Sequence, residues 1–245
     1  MSWEHHAASV VLVGASHAVA ARIVTESSVR GSRVQSTRWF LLHAVVNAII
    51  AVATFPAVTM SLELPGGHCS PAYGGILESS KFAIVIALWL HLWHCLFFKL
   101  NFSEFVHHLF FVTLLGIPGA VYEWGICGNA QLFFICGAPG ALMYALLVAK
   151  SMGVADSINE PLISAILTIG IRAPGVLYAQ RLLWRSRDAA RLSAASPPPF
   201  WIYVQLSLGV FNALYYSYDA LRRVCRSPRK TVEVPFEGCA VRKAE

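Results

Sequence analysis

Apolar residues in this chain run in long blocks, and the polar breaks between them are short. A helix crossing a hydrocarbon core of about 30 Å needs about 17 to 25 apolar residues. Seven stretches meet or approach that length: residues 7–24, 39–62, 82–98, 105–121, 130–149, 161–178 and 200–216. The pattern predicts an all-α polytopic membrane protein with about seven transmembrane helices in one bundle. The first stretch is the least apolar, because it carries His17 and Arg22 among small residues. It has no basic leader or clear cleavage site, so it is expected as a retained helix rather than a signal peptide. Pro56 in the second stretch and Pro139 in the fifth are tolerated in membrane helices as kinks.

Composition strengthens this picture. Of the 245 residues 56% are hydrophobic and only 13% charged, against about 25% charged in an ordinary soluble domain, and the mean hydropathy is +0.58. No charged or Pro/Ser-rich linker separates domains, so residues 1–221 read as one membrane domain and 222–245 as a basic cytoplasmic tail. The net charge of +6 collects beside apolar spans, around Arg22 to Arg38, Arg181 to Arg191 and Arg222 to Lys230. That placement suits anionic lipid headgroups and gives no reason to expect nucleic acid as a partner.

Lys and Arg also set the expected orientation. With the N-terminus outside, seven spans put 13 of them in cytoplasmic segments and five, Lys81 and four between Arg181 and Arg191, on the other side. The positive-inside rule then predicts a cytoplasmic C-terminus. The 181–191 loop runs against it, and the map inverts in part if the first or sixth span fails to cross.

Four of the nine histidines fall within 18 residues. His91 and His94 end the third span, and His107 and His108 open the fourth after a short connection. At about 1.5 Å per residue, His94 and His108 each lie roughly 6 to 7 Å below the connecting turn, so all four gather at one depth. Glu104 precedes His107 and His108 by three and four residues, within reach along one helix face. A carboxylate on one imidazole nitrogen would leave the other as a base, which makes His107, His108 and Glu104 the candidate catalytic set if the protein is an enzyme. His91, His94 and Arg172 are the candidate lipid-binding residues. An Arg at mid-membrane costs about 2.5 to 3.5 kcal/mol on insertion scales, so Arg172 should face the bundle interior, either as a clamp for a lipid phosphate or carboxylate or as a partner for carbonyls freed at Pro174. Helix packing alone is the competing reading of every one of these residues.

Other features add less. The pair His91-x-x-His94 and His107-His108 resembles histidine boxes of di-iron hydroxylases, but His5, His6, His17, His43 and His68 are poorly placed to complete about eight ligands. No zinc spacing is present, and no metal or cofactor is expected. Gly137-Ala138-Pro139-Gly140 reads as a packing or kink element. The sequon Asn101-Phe102-Ser103 abuts two spans and is expected to stay unmodified.

The segment Phe105-Val106-His107-His108-Leu109-Phe110-Phe111-Val112-Thr113, followed by Asn129-Ala130 and Leu146-Leu147-Val148-Ala149-Lys150, resembles the central region of the TLC-domain family, which includes the ceramide synthases. The resemblance covers about 45 residues as a motif and residues 38–217 as a hydropathy pattern. It implies a lipid-handling helical bundle around a cavity. Gly140 and Met143 stand where the synthases have paired aspartates, so the chain resembles a divergent member without that acyl-transfer pair. The expected function is binding, sensing or maintaining membrane lipids. The alternatives are a lipid-modifying enzyme using His107 and His108, and a structural subunit of a homo- or hetero-oligomeric membrane complex. The ending Arg242-Lys243-Ala244-Glu245 resembles a dilysine retrieval signal, which points to the endoplasmic reticulum or another endomembrane. There, Cys69 and Cys127 are expected in loops on the oxidising side and are the candidate disulfide.

Overall fold

In the computed structural model, residues 3–31, 33–63, 78–122, 124–154, 159–187 and 197–226 are described. They form seven long helices and, among the described residues, no strand. The helices are α1 (Trp3–Glu26), α2 (Arg33–Glu63), α3 (Glu78–Phe97), α4 (102–121), α5 (Gly125–Ser151), α6 (159–186) and α7 (Pro199–Arg226). Five of them, α1, α2, α4, α5 and α6, are long and apolar enough to cross a membrane. In α3 the apolar stretch Lys81–Phe97 is shorter, and α7 mixes its apolar residues with polar ones. The chain is therefore an all-α membrane protein.

The central helix is α2, packed against α1, α3 and α5. Val13 of α1, Leu42, Val46 and Ile50 of α2 and Ala83, Ile86 and Leu90 of α3 form one buried cluster. Two indole hydrogen bonds hold the weakly apolar α1 in place: Trp89 Nε1 donates to His6 Nδ1 at 3.2 Å and Trp93 Nε1 to His17 Nδ1 at 3.0 Å. In an apolar medium each such pair satisfies two groups that would otherwise lack a partner. A second cluster, with Trp124, Cys127, Leu182, Leu183 and Ile202, ties α5, α6 and α7 together at the opposite end of the bundle from Glu104.

Helices α4, α5 and α6 each contain a π-helical turn, at Phe111–Gly116, Phe133–Gly137 and Thr168–Arg172. Each turn leads into the same tripeptide pattern: Ile117-Pro118-Gly119, Ala138-Pro139-Gly140 and Ala173-Pro174-Gly175. Proline brings no N–H and its ring crowds the carbonyl four residues back. The chain answers by widening: Ile117 N–H donates to Val112 O and Ala173 N–H to Thr168 O, five residues back instead of four. The glycine after each proline then meets a neighbouring helix. A Cβ on Gly119 would lie 3.2 Å from Ile84 of α3, and one on Gly140 2.8 Å from Asn47 Nδ2 of α2. A Cβ on Gly175 would collide with the edge of the Phe134 ring of α5.

Helix ends differ from the sequence expectation in three places. The fifth helix begins at Gly125, so Cys127 is not in a loop; it is buried in the first turn of α5. Cys69 lies outside the described residues, and with it the proposed pairing. The sixth helix continues to Ser186, carrying Arg181 and Arg185 on its last turns. The seventh continues to Arg226, so Arg222 and Arg223 are helical and the segment beyond the helix starts later than residue 222.

Candidate functional site

The α3–α4 hairpin turns tightly because Asn101 caps α4. Its side-chain oxygen accepts from Glu104 N–H at 2.9 Å, and the Glu104 carboxylate accepts from Asn101 N–H at 2.8 Å. The carboxylate of Glu104 is thereby committed to the helix start rather than to an imidazole. What Glu104 gives His108 is its backbone carbonyl, which accepts from His108 Nδ1 at 2.7 Å.

Below this turn the four clustered histidines meet, as the hairpin length predicts. Ring centres lie 5.1 Å apart for His91 and His108, 5.2 Å for His94 and His108, and 5.9 Å for His91 and His107. A fifth histidine, His43 of α2, stacks on His94 at 4.4 Å and on Tyr144 of α5 at 4.2 Å. Trp39 closes the other face of His94 at 4.0 Å, and Phe111 stacks on His91 at 3.7 Å. Sequence reading missed His43, Trp39 and Tyr144, which lie on helices outside the hairpin. Their placement on the inner faces of α2 and α5 is the signal, and it is visible only once those helices are packed.

The hydrogen bonds fix the proton positions by elimination. A carbonyl only accepts, so His108 carries its proton on Nδ1 when neutral and leaves Nε2 as an acceptor. His94 Nδ1 lies 3.1 Å from that Nε2 and must therefore donate to it. The second nitrogen of His94, Nε2, is then a lone-pair acceptor, fully buried and without a hydrogen-bond partner. His43 and His91 follow the same rule, with Nδ1 donating to Trp39 O at 3.0 Å and to Ala87 O at 2.8 Å. Three neutral imidazoles thus present Nε2 acceptors inside the bundle. Among the described residues no group of three or more His, Cys, Asp or Glu side chains is arranged to hold a metal ion. His43 and His94 lie face to face, while His91, His94, His107 and His108 meet one another tilted or edge-on.

Next to His91 the bundle holds a half-enclosed cleft of about 60 Å³. Ala87 and Phe111, the two residues that fix the His91 ring, belong to its lining, with Gly116, Gly119, Gln131 and Gln205 around it. That volume holds roughly four waters or a similar number of methylenes, since one water takes about 10 to 15 Å³ on this measure. Arg172, on the π turn of α6, points into the bundle as the membrane cost demands. Its guanidinium lies 4.1 Å from the Tyr216 ring centre, a cation–π contact that offsets part of its burial. Its Nε finds no partner. At the Glu104 end a buried carboxylate, Glu160, takes Lys150 Nζ at 2.8 Å and Ser164 Oγ at 3.1 Å, with Arg223 at 3.9 Å.

No family model, no curated protein and no solved structure matches the chain.

Proposed function

We propose that this membrane protein binds a lipid inside its helix bundle, with a hydroxyl or amide of the lipid donating to the histidine cluster and the adjoining methylenes occupying the apolar cleft beside His91. The observation that carries this reading is the buried, unpartnered Nε2 of His94 in a cluster whose His91 is held by Ala87 and Phe111, two residues that also line the apolar cleft. An acceptor without a donor inside a low-dielectric bundle costs about 1 to 3 kcal/mol, and a lipid donor would recover it. Such groups inside membranes mark functional sites by default. Arg172 is the candidate counter-charge for an acidic headgroup. The cleft takes only a few methylenes, so the rest of the chain would leave through its open side into the bilayer.

All seven helices cross the membrane in this proposal, including α3 and α7, with the basic end of the chain in the cytoplasm and an endomembrane as the home. The His107-His108 pair at the start of α4 and Lys150 at the end of α5 support a divergent TLC-like protein. A second reading rests on the relay itself. The chain from Glu104 O through His108 to His94 leaves His94 Nε2 as an oriented base, which suits deprotonation of a lipid hydroxyl in an acyl-transfer or related step.

Lipid extraction from the protein purified in mild detergent tests the proposal. Wild type should retain one lipid class at near one-to-one ratio. A His94→Phe variant, which keeps the aromatic stack and removes the acceptor, should retain about tenfold less, as loss of one hydrogen bond worth about 1.4 kcal/mol implies. The same mixed lipid from both proteins would contradict it. Conversion of the bound lipid by wild type but not by the variant would favour the enzyme.

A further inference from the structure

A second polar group without a partner lies on the far side of α6. Gln180 is 4% exposed, and neither its amide nitrogen nor its amide oxygen has a hydrogen-bond partner. The amide is pressed against Gly209 of α7, where a Cβ would collide with it. Gln180 forms the floor of an outward-facing groove of about 670 Å³ between α6 and α7. Along its length the groove changes character. Leu177, Leu206 and Val210 line the part farther along the helices, while Arg181, Trp184 and Tyr203 line the part near the end of α6 and the start of α7. Trp184 and Tyr203 are about half exposed, with ring centres 6.4 Å apart. Tryptophan and tyrosine at this height are the side chains that favour the headgroup level. Arg181 is exposed and forms no ion pair among the described residues.

We infer that this groove is a binding site for an anionic phospholipid, separate from the histidine cluster and independent of the reading given for it. The phosphate meets the Arg181 guanidinium, which offers several N–H donors in a fixed fork. One acyl chain lies along Leu177, Leu206 and Val210. A small rotation of the Gln180 side chain toward the groove lets its NH₂ donate to a glycerol ester carbonyl, which supplies a partner the amide lacks. The site also accounts for the basic residues at this end of the bundle, which run against the positive-inside expectation. A bound anionic headgroup gives Arg181 a counter-charge on whichever side of the membrane it lies.

Native mass spectrometry of the full chain, delipidated in neutral detergent and offered equal phosphatidylglycerol and phosphatidylcholine of the same chain length, tests the inference. Wild type should prefer phosphatidylglycerol by about fivefold, which corresponds to about 1 kcal/mol for one basic residue at an anionic surface. Arg181→Gln should abolish that preference and leave phosphatidylcholine binding unchanged, whereas Arg181→Lys should keep most of it. Gln180→Leu should lower retention of phosphatidylglycerol while thermal stability holds or rises, because a buried unpaired amide is gone. Equal retention of both lipids by wild type, or an undiminished preference in Arg181→Gln, would mean annular lipid only and overturn the site.

Discussion

His94 and His108 are neighbours with different roles, and the hydrogen-bond direction separates them. Among the described residues His108 Nε2 is the acceptor for the N–H of His94, so His108→Ala strands a buried donor. Thermal unfolding should show that variant destabilised by about 1 to 3 kcal/mol, the cost of an unsatisfied buried polar group. His94→Phe also leaves His108 Nε2 unpaired, but it preserves stacking with Trp39 and His43 at 4.0 and 4.4 Å and removes the unpartnered nitrogen. It should unfold within about 1 kcal/mol of wild type. An equal, large loss in both variants would make the cluster a packing device. The gathering of His91, His94, His107 and His108 was legible in the sequence, because a short turn between two helices forces it. The proton order was not, because it depends on which oxygen of Glu104 faces His108. The sequence offered the carboxylate, and the capping box claims it.

At the scale of elements, the recurrent x-Pro-Gly pattern decides how α4, α5 and α6 pack. Hydropathy and spacing mark Gly137 to Gly140 as a packing or kink element and Pro174 as a helix break, but they do not relate either to Pro118-Gly119. Their spacing is irregular, and only the shared π turn makes them equivalent. Gly175→Ala puts a methyl group against the edge of the Phe134 ring and should lower stability by about 1 to 3 kcal/mol. Gly170→Ala, inside the same π turn with nothing within 4 Å of its Cβ, should be neutral or slightly stabilising. Detergent-based thermal melts of the two variants side by side check this, and an equal effect would remove the close-approach argument. Glu160 of α6 holds α5 through Lys150, and Ser164 one turn along α6 steadies its carboxylate. Glu160→Gln replaces an ion pair by an ammonium–amide bond and leaves Lys150 without its counter-charge, which should cost about 2 kcal/mol, with proteolysis of the α5–α6 connection as an independent readout.

For the whole molecule, helix content and membrane embedding were legible from the apolar block lengths alone. Helix ends were less so, because α6 and α7 extend through arginines that hydropathy assigns to loops: Arg181 and Arg185 on α6, Arg222, Arg223 and Arg226 on α7. Long basic side chains on terminal turns reach the interface while their stems stay apolar. The proposed orientation puts the Arg226 end in the cytoplasm. In sealed microsomes a C-terminal tag should be digested by added protease without detergent, and a protected tag would invert the bundle. The proposal of an internal lipid is tested most directly by a density map of the full chain purified in mild detergent. The account predicts elongated density in the cleft between Phe111, Gly119 and Gln131, reaching hydrogen-bond distance of a histidine Nε2. A cleft closed by its own side chains, with His94 Nε2 bonded to a protein donor, would contradict it.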